Sequence, residues 1–395
     1  MNLDAIQAAL RDVSLDGWLF YDHHHRDPIA ASILSLDPGA HITRRWYYFI
    51  PASGEPKKLV HRIEQGRLDT LPGTKSQYAS WQELHAGLET MLSGASRIAM
   101  QYSPNNDIMY VSMVDAGTVE FLRGLGKEIV SSADLVSQFE AVLNQEQIAT
   151  HQAAQRAIDV ILVEAWAEIG RRLRPPSGSD RDDSLTEHDM VVWLREAMRR
   201  EGLVWENGPD VSVNANTSDQ HYEPTADRSA PIREGDFLLV DIWGRLDSPS
   251  SVFYDITWTG VIGREPSKKE QLVFETVRAA RDAAIAAVEQ AFAQNRPIRG
   301  FEADDAARSV IRSAGFGEHF VHRTGHNIAH EIHGPGAHLD NLETHDERRI
   351  LPHTCFSVEP GIYLPEFGVR SEIDMLTAPG KAWVTGRIQQ ELMRI

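Results

Sequence analysis

The apolar and polar positions of this chain divide it near Leu143. Before that point, short runs rich in apolar and aromatic residues predict strands at 17–21 (GWLFY), 46–50 (WYYFI) and 97–100 (RIAM). Helical patterns lie near 81–92 and 117–125, so the first part has the make-up of a compact α/β unit. A long helix is predicted over about 144–173, because Ile158, Leu162, Ala165, Ile169 and Leu173 recur at three- and four-residue steps. It should stop at Arg174-Pro175-Pro176-Ser177-Gly178, where proline and glycine forbid continuation. The start of this helix sets the expected boundary between an N-terminal domain, 1–143, and a C-terminal domain, 144–395.

In the second part, Thr186 with Asp189 three residues on opens a helix that Gly202 closes. Ser267 and Glu270 form a capping box just after Pro266 and open an alanine-rich helix through Ala293. Apolar runs at 237–243, 252–262, 355–358 and 369–376 read as strands, and this mixture predicts an α+β domain.

Two of these strands contain a residue that strands avoid. Asp241 lies inside Phe237-Leu238-Leu239-Val240-Asp241-Ile242-Trp243, and Asp255 has the same setting in the next strand. An unpaired buried carboxylate costs several kcal/mol or takes up a proton. The turn-rich connection from Gly244 to Ser251 reads as a hairpin; centred on Ser248, it would set Asp241 directly opposite Asp255. Like charges so placed are destabilising unless a cation lies between them. Glu359 and Glu372 repeat the pattern around the turn Pro365-Glu366-Phe367-Gly368, with Pro360 and Gly361 interrupting the ladder. Each acid alone reads as a structural salt bridge. Two facing pairs read as a metal site.

Eight of the 17 histidines fall between His319 and His353. His330-Glu331-Ile332-His333 has the wrong spacing for a His-Glu-x-x-His zinc helix. Histidine supplies neutral nitrogen ligands and proton shuttles. His330, His338 and the run His23-His24-His25 read as structural or solvated, and Cys355, Trp243 and Trp258 as packing.

The 42% apolar and 24% charged fractions are those of a soluble globular protein, and 395 residues allow two or three domains. A net charge of -18 argues against nucleic acid and anionic membranes as partners. One cysteine, no signal-peptide pattern and no bilayer-length apolar run lead us to expect a cytoplasmic protein.

The ordered series Asp, Asp, His, Glu, Glu makes the last 250 or so residues resemble the pita-bread metallopeptidases: methionine aminopeptidase, prolidase and aminopeptidase P. The elements carrying the resemblance are His221-Tyr222-Glu223-Pro224, Gly235-Asp236, Tyr254-Asp255-Ile256-Thr257, His322 to His326, Val358-Glu359-Pro360-Gly361-Ile362-Tyr363 and Gly368-Val369-Arg370-Ser371-Glu372. The N-terminal part is similar in size and position to the smaller α/β domain of the creatinase and prolidase type.

The resemblance implies two divalent ions, manganese first and cobalt, zinc or iron as alternatives, on Asp241, Asp255, His326, Glu359 and Glu372. Asp255 and Glu372 would bridge them. It further implies that His221, His322 and His333 line the substrate pocket, that Glu359 serves as general base, and that Arg370 and Tyr363 orient substrate or ligands. The implied reaction is hydrolysis of the bond before proline in a small peptide by a metal-bridging hydroxide, in a homodimer. A connection from Asp241 to Asp255 longer than usual, Gly244 one position later than usual, and Trp258 in place of an arginine depart from the family pattern and bear on the shape of one pocket wall. A non-peptidase on the same fold, an amide hydrolase or a lyase, and a metal-free relative stay open at this point.

Overall fold

The computed structural model describes residues 1–174 and 185–395; the expected helix stop at Pro175 to Gly178 lies outside them. The chain divides into two compact units, Met1–Glu140 and Ala141–Ile395.

The first unit is built on a six-stranded sheet in the order β4-β3-β2-β1-β5-β6. Its strands are β1 (Gly17–Asp22), β2 (Trp46–Pro51), β3 (Lys57–His61), β4 (Thr74–Tyr78), β5 (Arg97–Met100) and β6 (Glu128–Ser131). Strand β2 runs antiparallel to β1 and β3, and the other pairings are parallel. Both faces are covered, as a sheet with parallel strands requires. Trp18 and Phe20 of β1 pack with α1 (Leu3–Asp12), α2 (Pro28–Ile33) and α5 (Ala133–Val136). The alternate residues Leu19 and Tyr21 pack with α3 (Trp81–Met91) and α4 (Ala116–Gly124).

In the second unit the predicted helices form behind side-chain caps: α6 (Gln145–Leu173) behind Asn144, α7 (Glu187–Arg200) behind Thr186 and α8 (Lys268–Ala293) behind Ser267. Each cap is part of a reciprocal capping box and contributes about 1 kcal/mol. A further helix, α9 (Gly300–Ser313), packs on α8. One sheet has the order β17-β10-β9-β7, with β8 also paired to β9; its strands are β7 (Leu203–Val204), β8 (Asp210–Val213), β9 (Phe237–Leu246), β10 (Tyr254–Val261) and β17 (Met393–Arg394). Another has the order β11-β12-β15-β16, comprising β11 (Asn327–Ile328), β12 (Cys355–Val358), β15 (Ile373–Ala378) and β16 (Lys381–Thr385). A ribbon joins β13 (Gly361–Tyr363) to β14 (Gly368–Arg370). Ile158, Leu162, Met190 and Leu194 of α6 and α7 bury against Val240, Ile242, Tyr254 and Ile256. Val277, Ala284, Ala307 and Ile311 of α8 and α9 bury against Phe356, Val358, Val369 and Met375.

Helix α9 carries an ion pair on its buried face. Arg308 holds Asp304 through two hydrogen bonds, 2.7 and 2.9 Å, with both side chains almost wholly inaccessible. Asp304 also accepts from the Thr324 amide and hydroxyl, while Arg308 donates to the carbonyls of Phe320 and His322. The pair thereby fixes the segment leading into His326. Asp304→Ala leaves a buried guanidinium uncompensated, and we expect it to cost about 3–5 kcal/mol, read from the urea unfolding midpoint of the second unit.

Candidate metal centre

Asp241 and Asp255 are both buried, on adjacent antiparallel strands, but the register differs from the sequence expectation. Thr257 stands opposite Asp241, and Asp255 stands opposite Trp243. The hairpin is therefore centred on Pro249 and not on Ser248. The reason lies in the connection: the Val252 amide is taken by Thr150 Oγ1 and the Phe253 amide by the Ala329 carbonyl, so the ladder begins only at Tyr254. A shift of two residues keeps both acids on one face, as diagonal neighbours.

The second pair follows the ladder of the other sheet. Val358 pairs with Ile373 and Gly361 with Arg370, so one register runs through both ribbons and sets Glu359 opposite Glu372. The predicted strand over 369–376 is broken there into β14 and β15, facing the interruption at Pro360. His326 arrives just before β11. A Cβ at Gly325 would overlap the carbonyl oxygen of Ser357, so only glycine allows the histidine segment to lie this close to β12. Ser357 Oγ accepts from the His326 amide and donates to Glu359 Oε1, joining the two.

Ligand atoms of Asp255, His326 and Glu372 lie within 4.8 Å of one another. Thr257 Oγ1 is at the hub, 2.8 Å from Asp241 Oδ1 and 2.6 Å from Glu372 Oε2, while Arg370 donates to it and to Asp241 Oδ2. One hydroxyl proton cannot serve two carboxylates. Asp255 Oδ1 and Glu372 Oε1 are buried without a hydrogen-bond partner. Burial first, and then the charges of neighbouring acids, push the carboxyls of Asp255 and Glu372 well above the ordinary range. Burial raises Asp241 too, against the pull of Arg370.

The imidazole of His326 sharpens the point. Its Nδ1 faces the Asn327 carbonyl at 3.3 Å and must donate there, which leaves Nε2 with a lone pair. That lone pair faces Glu359 Oε1 at 3.3 Å and Asp255 Oδ2 at 3.8 Å. Burial, then Arg323, holds the ring to about 3, so it is neutral. A lone pair set against carboxylate oxygens repels them unless a cation lies between. The donor set, four carboxylates and one imidazole nitrogen with unpartnered oxygens among them, fits hard or borderline divalent ions.

The other expected residues separate into two groups. His322 Nδ1 donates to the Arg323 carbonyl at 2.7 Å, so its Nε2 accepts from the Tyr363 hydroxyl at 2.7 Å. Burial holds this ring down to about 4 and lifts Tyr363 to about 12. His322 therefore presents no free N–H. Arg370 is committed to Asp241 and Thr257. His333 packs edge-on against His326, ring centroids 4.4 Å apart, and partial burial followed by His326 and Arg323 lowers its pKa. His221 is exposed and near enough to His333 to perturb it. His338 is buried and accepts from the Asn327 amide, whereas His330 is exposed and contacts the Ser251 carbonyl.

Two acids of the site escaped sequence reasoning. Asp374 Oδ2 accepts the Asp255 amide at 2.9 Å, and Asp210 stands directly across the ladder from Asp241. Asp374 carried the same signal, an acid inside an apolar strand. Two of the departures from the family pattern lie away from the acids: Trp258 packs with Tyr254 and Ile256 in the helix-covered core, as its packing reading has it, and Gly244 faces Met198 and Ile158. Neither lies on the face of Asp241 and Asp255, because side chains alternate along β9 and β10.

Residues 149–379, more than half of the chain, match the model of metallopeptidase family M24. The chain is 24% identical over 258 residues to a putative Xaa-Pro aminopeptidase of Mycoplasma pneumoniae, covering 65% of this chain and 68% of that one. It is 27% identical over 330 residues to a probable dipeptidase PepE of Mycobacterium bovis, covering 82% and 78%. In fold it is similar to the crystal structure of dipeptidase PepE from Mycobacterium ulcerans, with a TM-score of 0.66 at 23% identity and coverage of 100% and 96%. The buried acid cluster, its neutral histidine and these matches lead to one statement: the chain belongs to metallopeptidase family M24, as a divalent-metal-dependent metallopeptidase with the two-domain α+β pita-bread fold.

Proposed function

We propose that this metallopeptidase cleaves the peptide bond before proline in small peptides, and that Asp241, Asp255, His326, Glu359 and Glu372 would hold the two divalent ions it uses. The lone pair of His326 aimed at two carboxylates carries this reading. Ions bound there would supply Lewis acidity toward the scissile carbonyl and a water that ionises near neutral pH. Glu359, half-buried and oriented by Ser357, takes the proton of the attacking water and returns it to the leaving nitrogen. His333 is the imidazole free to donate to the developing oxyanion, and exposed His221 lines the approach to it. His322 holds the Tyr363 hydroxyl in place. The oxygen-rich donor set suits manganese. Among the described residues no helix is long and apolar enough to cross a membrane. A cytoplasmic homodimer completes the proposal.

The test is metal content followed by a peptide panel. Manganese-loaded protein should bind two ions and hydrolyse Xaa-Pro and Xaa-Pro-Xaa substrates. Bound metal without turnover on either would move the assignment to a non-peptide amide hydrolase or a lyase on this fold. Retention of no metal would refute the site itself.

Arg370 gives a separate prediction. As the partner of Asp241 it positions a ligand, so Arg370→Gln should lower kcat roughly 10- to 100-fold on Xaa-Pro and Xaa-Pro-Xaa alike. A rise in KM confined to the dipeptide would instead place Arg370 on the substrate's terminal carboxylate.

A further inference from the structure

The first unit contains a cleft of about 630 Å³ that the peptidase chemistry leaves unused. It lies at the carboxyl ends of β1, β3 and β4, where Tyr21, His61 and Tyr78 contribute to its wall. Ligands of open α/β sheets bind outside this edge of the strands. Ser80 and Trp81 bring in the N-terminus of the 11-residue helix α3, whose amide dipoles favour negative charge.

Three arginines, Arg26, Arg44 and Arg45, line the same cleft. Arg44 donates to Thr43 through its side chain and to Glu64 through its amide, the Arg45 side chain reaches Tyr78 in the same wall, and no ion pair joins Arg26 or Arg45 to an acid among the described residues. The acid in the wall, Asp115, is spent on capping α4 through the amide and hydroxyl of Thr118. In a chain of net charge -18, the convergence of three arginines on one cleft stands out. The His23-His24-His25 run explains how Arg26 is presented. His24 and His25 both hold left-handed backbone, φ 61° and 56°, a conformation that costs non-glycine residues energy. The His23 and His24 rings pack edge-to-face with centroids 4.3 Å apart. Burial, and then repulsion from His24, Arg26 and Arg45, lowers the pKa of His23, so the cations crowd one another. Ordinary solvated arginines do not need a strained loop to gather them. Trp81 stands at the rim, 63% exposed, with His85 packed edge-to-face at a centroid distance of 5.4 Å.

From this cleft we infer a second binding site, separate from the metal centre, for the phosphate group of a small molecule, held by Arg26, Arg44 and Arg45 with Trp81 alongside. Guanidinium forks match the oxygens of a tetrahedral oxyanion, and several together favour a dianion over a single carboxylate.

The test uses full-length, metal-loaded protein titrated with inorganic phosphate, sulfate and the dicarboxylate glutarate at constant ionic strength, followed by calorimetry and tryptophan fluorescence. Phosphate and sulfate should bind saturably, more tightly than glutarate, with a fluorescence change that Trp81→Phe removes. Arg26→Ala/Arg45→Ala should weaken sulfate binding at least tenfold. Lys75→Ala, which removes a charge in the same unit outside the cleft, should leave it within twofold. Both arginines are exposed, so the variant should keep its fold, and Arg44→Ala serves as a second probe of the same charge cluster. Absence of saturable oxyanion binding, equal binding by the double variant, or preference for glutarate would overturn the assignment.

Discussion

Replacing Glu372 with glutamine will lower peptide hydrolysis roughly 10³-fold or more while making the metal-free protein more stable. Glutamine keeps the shape of the side chain and its contact with Thr257 Oγ1. What it removes is one of several negative charges forced together: Glu372 is buried against Asp255, Glu359 and Asp241, and one cation, Arg370, pairs closely with Asp241 and at 4.0 Å with Glu359. Relief of that repulsion should raise the stability of chelated protein by about 1 kcal/mol, since one pKa unit of interaction is worth about 1.4 kcal/mol. On the proposed metal site, the same change also takes away a ligand. In the wild type, saturating manganese should add about 2.7 kcal/mol at a hundred times its Kd, and the variant should gain much less. Thermal unfolding with and without chelator measures both effects, and steady-state kinetics the third. A purely structural carboxylate predicts the opposite pattern: chelated variant less stable, metal response unchanged.

How far the chain could be read before its structure was known depended on how each element shows itself. Asp241 and Asp255 were legible because an acid breaks an apolar strand, and parity along a strand fixes the face without fixing the register. The two-residue shift at Pro249 came from long-range bonds of Val252 and Phe253 to Thr150 and Ala329, which no local pattern encodes. Helix α9 stayed hidden for a related reason. Its buried face mixes Ala303, Ala307 and Ile311 with Asp304 and Arg308, so an internally neutralised pair looks like a polar interruption. Edge strand β4, TKSQY, exposes four of its five residues and shows no apolar alternation to detect. Asp210 stays hidden because its setting depends on β8 pairing with β9, and Asp374 because its place beside the Asp255 amide depends on a contact between two separate sheets. His322 was expected to line the substrate pocket as a binding group. Only the geometry shows its Nε2 already accepting from Tyr363, a matter of which partner sits across the site.

The same charges set how stability should respond to pH, and the metal should reverse the trend. Asp255 and Glu372 have carboxyls raised above their unfolded values, so the folded, chelated protein binds protons that the unfolded chain has released. Their contribution is present at low pH and is lost as pH rises through the raised values. His326 and His322 work the other way: held to about 3 and about 4, they are neutral when folded, so they cost stability as pH falls below about 6.5 and the unfolded rings charge. Above about 6.5 these two histidines are neutral in both states and the acids lead, joined in the alkaline range by the buried Cys355 thiol, which burial raises and which acts in the same direction. Chelated protein should therefore lose stability as pH rises beyond that point. Metal binding must displace the protons held by the ligands, so its benefit grows with pH by about 1.4 kcal/mol per unit for each proton released. For a unit of this size that widens the gap in Tm between loaded and chelated protein by roughly 3–6 °C per pH unit. Scanning calorimetry across the neutral to mildly alkaline range, with and without chelator, reads the gap directly. A gap that stays flat or narrows with rising pH would mean that the acids are already ionised and paired within the protein, and that no cation is needed to hold them together.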